Sequence, residues 1–129
     1  MKKYLLILIA MIGFFGCTNA RTKAPYSDAN VTQFKQLLQN HDVQLLDVRT
    51  PDEFAAGHIR GAVNINIFDH NFISEIEKEL DKSRPVAVYC RSGKRSADAA
   101  TKLAAKGYKV TNLEGGIIAW ADAGLPISH

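Results

Sequence analysis

Cysteine is scarce in this chain of 129 residues, which has only Cys17 and Cys90. The two sit in different settings, one at the end of an apolar N-terminal run and the other after a β-branched run. No disulfide is expected between them, which argues against a disulfide-stapled fold. Charge of one sign is also lacking. The net +3 is small and scattered, so the basic footprint that nucleic-acid binding requires is missing. The histidines, His41, His58, His70 and His129, show no metal-ligand spacing, and no metal or other cofactor is expected. There is no internal repeat and no low-complexity tract, and the length leaves room for one domain with one modest core.

The N-terminus carries Lys2 and Lys3, then the almost wholly apolar Tyr4 to Phe15, then Gly16 and Cys17. A charged start, a short apolar core and a small residue describe a secretory signal peptide. The run falls short of the roughly 20 residues of a membrane span, although an uncleaved anchor is the alternative. Phe14-Phe15-Gly16-Cys17 resembles a bacterial lipoprotein lipobox. That resemblance implies cleavage before Cys17, a lipid on its thiol, and a protein held at the periplasmic face of a bacterial membrane. The competing reading is cleavage after Thr18-Asn19-Ala20, which releases a soluble periplasmic protein. The expected organisation is a signal peptide over 1–16, a polar tether containing Pro25 over 17–26, and a folded domain over 27–127.

The stretch richest in chemistry is Val86-Ala87-Val88-Tyr89-Cys90-Arg91-Ser92-Gly93-Lys94-Arg95-Ser96. A short strand runs into a cysteine, a tight polar loop follows, and a helix starts beyond it. Backbone N–H groups without intrahelical partners converge at such a junction and bind anions. Helix N-termini and nearby cations also stabilise a thiolate. Cys90 is therefore the candidate nucleophile. Arg91, Ser92, Gly93, Lys94, Arg95 and Ser96 are the candidate binding residues, with Gly93 supplying backbone freedom. An arginine would hold an anionic substrate with a bidentate fork and a lysine as a point charge. Which of Arg91, Lys94 and Arg95 points inward stays open, as at least one of them must be solvated. Ser96 is expected to cap the helix.

The rest of the chain alternates short apolar strands with amphipathic helices. Asn30 and Gln33 form a capping box ahead of a helical face of Val31, Phe34, Leu37 and Leu38. Val43 to Val48 reads as a strand. Thr50-Pro51-Asp52-Glu53 opens a short helix that Gly57 ends. Ala62 to Ile67 reads as a strand, and Asp69 is expected to cap a helix bearing Phe72, Ile73, Ile76 and Leu80. Ser96 to Lys106 is a helix whose small face, Ala97, Ala100 and Ala104, approaches a sheet. Val110 to Leu113 is a strand, and Gly115-Gly116 leads into a last short helix holding Ile117 and Trp120. This alternation implies an α/β fold with a parallel sheet covered on both faces. Cys90 then lies at the carboxyl end of its strand, where such sheets bind ligands.

Three spaced segments resemble one family. Asp47-Val48-Arg49-Thr50-Pro51-Asp52-Glu53-Phe54 with Gly57-His58-Ile59, Gly61-Ala62 and Asn64-Ile65 is similar to the front signature of rhodanese domains. The Cys90-to-Ser96 segment resembles their active-site loop, and Leu113-Glu114-Gly115-Gly116 with Trp120 resembles their closing segment. The resemblance implies a three-layer domain with five parallel strands in the order 3-2-4-5-1. It also implies a sulfurtransferase in which Cys90 takes a sulfane sulfur from thiosulfate or a similar small anion. A thiophilic acceptor, such as cyanide, a thiol or a protein, then removes that sulfur. A persulfide carrier or redox-sensing binding module is the first alternative. A phosphatase or arsenate reductase is the second, although those enzymes resemble C-x5-R whereas Cys90 to Arg95 is C-x4-R.

The remaining candidates lie outside the loop. Asp47 and Arg49 could support the loop from beside it, Asp47 by pairing with a loop arginine, or form a purely structural ion pair, which is the expected role. Glu53 is expected to be a helix cap, His58 structural, and Trp120 part of the core.

Overall fold

The computed structural model describes residues 24–129. The putting-together of the domain starts from backbone pairing: five parallel strands form one sheet in the order β1-β5-β4-β2-β3. The strands are β1 (Ser27–Ala29), β2 (Gln44–Asp47), β3 (Val63–Asn64), β4 (Val86–Tyr89) and β5 (Val110–Leu113). The helices between them are α1 (Val31–Leu37), α2 (Pro51–Ala56), α3 (Phe72–Glu79), α4 (Lys94–Ala105) and α5 (Gly116–Asp122). The strand order is the one implied by the resemblance, read from the other edge. The signal-peptide run, Cys17 and most of the expected tether lie outside the described residues.

Strand parity divides the core into two layers, because successive side chains leave a strand on opposite faces. Val86, Val88 and Cys90 join Leu46 and Val48 against α3 and α4, where Ile76, Ala99, Ala100 and Leu103 meet them. Ala87 and Tyr89 face the other way with Leu45, against Phe34, Ile117 and Trp120 of α1 and α5. Every residue of β4 is buried, which explains its unbroken apolar run: a central parallel strand has no wet face.

The capping boxes expected at Asn30 and Thr50 are both formed. Four expectations are corrected. Residue patterning shows only four strands; β1 is missed because Ser27 and Asp28 are exposed and the strand is held by its backbone pairing to β5. Tyr26, placed in the tether, packs against the core. Asp69 is not a side-chain cap: it gives only its carbonyl to the Phe72 N–H, and α3 begins without a capping side chain. Finally, α4 starts at Lys94 rather than Ser96, with Gly93 at the cap position. Its buried face is Ser96, Ala99, Ala100 and Leu103, while Ala97 and Ala104 are half-buried.

Candidate active site

β4 delivers Cys90 to the carboxyl edge of the sheet, and the loop Arg91 to Gly93 folds back over its sulfur. The Gly93 N–H donates to Cys90 Sγ at 3.1 Å and the Ser96 hydroxyl donates at 3.3 Å. Gly93 has φ +107°, a left-handed conformation that glycine adopts without strain. The tightness of the loop has a second source. At the start of α5, the Ile117 N–H donates to the Cys90 carbonyl at 2.9 Å and the Ile118 N–H to the Arg91 carbonyl at 3.2 Å. Two unpaired amides of one helix thus draw the carbonyls away from the sulfur, leaving donors directed toward it. Gly116 makes this approach feasible: a Cβ there would lie 2.6 Å from the Cys90 carbonyl oxygen.

Cys90 is 1% exposed. Burial pushes its thiol up, but the Ser96 hydroxyl and then the backbone N–H groups of Ser96, Gly93 and Ser92 pull it down further. The balance lies below the ordinary thiol value. Hydrogen bonds to the charged form win over desolvation. Ser96 therefore sits inside the first turn of α4 and donates its hydroxyl hydrogen bond to the Cys90 sulfur, rather than capping the helix.

The three loop cations differ in placement. Arg91 and Lys94 are exposed. Arg95 is half-buried and makes a two-pronged pair with Glu53, at 2.7 and 2.9 Å. Its guanidinium is stabilised first by that hydrogen-bonded carboxylate, with smaller attractions from Cys90 and Asp47. Glu53 is also the capping residue of α2, accepting from the Thr50 N–H at 3.0 Å. The Arg95 guanidinium, with help from Thr50, lowers its carboxyl to about 2. The capping box thus reveals one role of Glu53 in the sequence and hides the other, because Arg95 lies 42 residues away.

Asp47 does not reach the loop. It shares a face with Tyr89, its register partner, and so points away from Cys90. Both Asp47 and Arg49 are buried and paired, with Arg49 Nη2 2.6 Å from Asp47 and 2.7 Å from the Gly57 carbonyl. Burial alone would lower Arg49, but the Asp47 partner more than offsets this and the guanidinium is raised. The pair fixes the start of α2 and its exit. Nearby, the Tyr89 hydroxyl accepts from the Ile59 N–H at 3.0 Å. His58 stacks on Phe54, and Trp120 is buried edge-on to Phe34.

Comparison with known proteins places this arrangement. Residues 30–123 match the rhodanese-like domain family. A sulfurtransferase of Allochromatium vinosum is 46% identical over 94 residues, covering 72% of this chain and 85% of that protein. Thiosulfate sulfurtransferase 18 of Arabidopsis thaliana is 40% identical over 111 residues, covering 77% and 81%. The crystal structure of a rhodanese-like domain protein from Staphylococcus aureus has a TM-score of 0.67 at 34% identity, covering 80% of this chain and 99% of that one. The matched span runs from the α1 cap through the whole of α5 and includes the entire Cys90 loop, and the chain belongs to the rhodanese-like domain family as a sulfurtransferase of rhodanese type.

Proposed function

We propose that Cys90 attacks the outer sulfur of thiosulfate or a comparable sulfane donor, carries it as a persulfide, and yields it to a thiophilic acceptor. The observation that supports this most is the pair of donors on Cys90 Sγ, from Gly93 and Ser96. They stabilise the thiolate that attacks and the thiolate that is regenerated. In the first half-reaction a bond forms between Sγ and the sulfane sulfur, the S–S bond of thiosulfate breaks, and sulfite leaves with the electron pair. In the second, cyanide or a thiolate bonds to the outer sulfur and the Cys90 thiolate departs. Arg91 and Lys94, exposed at the loop, attract the anionic donor. Arg95 is held by Glu53 and contributes its charge at the edge.

The C-x4-R spacing and the commitment of Arg95 to Glu53 weigh against a phosphatase, which needs its arginine on the oxyanion. Covalent transfer in two halves predicts ping-pong kinetics. With thiosulfate and cyanide as substrates, thiocyanate formation should give parallel double-reciprocal lines and vanish in Cys90→Ser. Intersecting lines, or activity surviving that substitution, would overturn the reading. We also propose, from the N-terminal sequence alone, that the domain is exported and tethered to a membrane by a lipid on Cys17.

A further inference from the structure

Among the described residues, the exposed large apolar side chains are Val63, Phe68 and Ile118. Two of them border the Cys90 loop. Ile118 is tied to it through its N–H bond to the Arg91 carbonyl. With Ile117, Ala121, Ala56 and Glu53 it lines a groove of about 250 Å³. Phe68 is 69% exposed, and its ring centre lies 5.7 Å from the Arg95 guanidinium, which Glu53 clasps. An apolar rim therefore flanks the Glu53–Arg95 pair on both sides. Arg91 and Lys94 stand exposed at the same loop and take part in no ion pair among the described residues.

A small inorganic anion is served by loop N–H groups and a cation; it gains nothing from an exposed phenylalanine or an apolar groove. An aromatic anchor and an aliphatic groove beside unpaired charges have the composition of a protein-docking patch. We propose that this rim docks a protein sulfur acceptor that presents a cysteine beside apolar and acidic side chains. Its acids complement Arg91 and Lys94, and its apolar residues cover Phe68 and Ile118. This inference rests on the persulfide reading of Cys90. In the transfer, the acceptor thiolate bonds to the outer sulfur of the protonated Cys90 persulfide and the S–S bond to Cys90 breaks. The electron pair stays on Cys90 Sγ, and the proton stays with the new acceptor persulfide. One sulfur atom moves, and no external oxidant or reductant is needed.

The test uses domain loaded with thiosulfate, its persulfide verified by mass. The probes are a short synthetic peptide with one cysteine among leucines and glutamates, and its counterpart with lysines replacing the glutamates. The glutamate peptide should take sulfur about tenfold faster at low salt, with the advantage shrinking as salt rises. Phe68→Ser, and Ala121→Glu in the groove beside Ile118, should each slow transfer to that peptide by about fivefold or more while leaving transfer to cyanide unchanged. Equal rates for the two peptides, or variants that leave peptide transfer intact, would overturn the docking role. So would variants that lose cyanide and peptide transfer together, since that would assign both side chains to packing of the loop. Failure of the persulfide to form is seen before any peptide is added and overturns the reading of Cys90 itself.

Discussion

A thiol buried as deeply as Cys90 would ordinarily resist ionisation, because its charged form loses water. The loop reverses that preference with donors, and Ser96 is the side chain among them. Ser96→Ala removes one charge-assisted hydrogen bond and nothing else of size. Alkylation by iodoacetamide should then shift to higher pH, with the rate at neutral pH falling on the order of tenfold. An unchanged pH profile would show that the backbone donors suffice. Gly116 is the residue on which the loop's carbonyl side depends. Its φ is +60° and an added Cβ would meet the Cys90 and Arg91 carbonyls. Gly116→Ala should cost about 2 kcal/mol in urea unfolding. It should also lower sulfur transfer about a hundredfold by displacing the loop. Wild-type activity in that variant would contradict the role given to α5.

At the scale of elements, α2 and α4 are joined by Glu53 and Arg95. Glu53 is 29% exposed, so solvent screens part of the interaction, leaving about 1 kcal/mol. Its carboxyl titrates lower in the folded chain than in the unfolded one. As pH falls, the unfolded chain therefore binds the proton first. The stabilisation is complete above about pH 5 and is lost as pH falls through the folded value of about 2. Glu53→Gln should be less stable than wild type by about 1 kcal/mol at pH 7, with the difference closing toward pH 2. A difference independent of pH across that range would show that the capping bond, not the charge, is what Glu53 contributes. The Thr-Pro-Asp-Glu segment makes the start of α2 legible because capping is local chemistry. The ion pair to Arg95 was not legible, because it depends on where β2 and β4 place two distant helices. For the same reason Ser96 reads as a cap in the sequence: its distance to Cys90 depends on how tightly the loop turns, and α5 sets that.

For the whole molecule, the parallel sheet was legible wherever burial writes itself into an apolar run, as at β4 and β5. It was illegible at β1, whose Ser27 and Asp28 are exposed and whose order comes from backbone pairing. The separate roles of Asp47 and Cys90 follow from parity alone: register pairs Asp47 with Tyr89, so the carboxylate and the thiol leave opposite faces of one sheet. The two core layers then have distinct duties. The α3–α4 layer carries the thiol and its donors, and the α1–α2–α5 layer carries the Asp47–Arg49 pair and the helix start that holds the loop carbonyls. Cys90 sits where the two meet. If its sulfur is the carrier, the intact mass of the domain before and after thiosulfate will show it. The mass should rise by one sulfur atom, a gain lost on adding cyanide and absent in Cys90→Ser. No gain in a folded, reduced domain would contradict it.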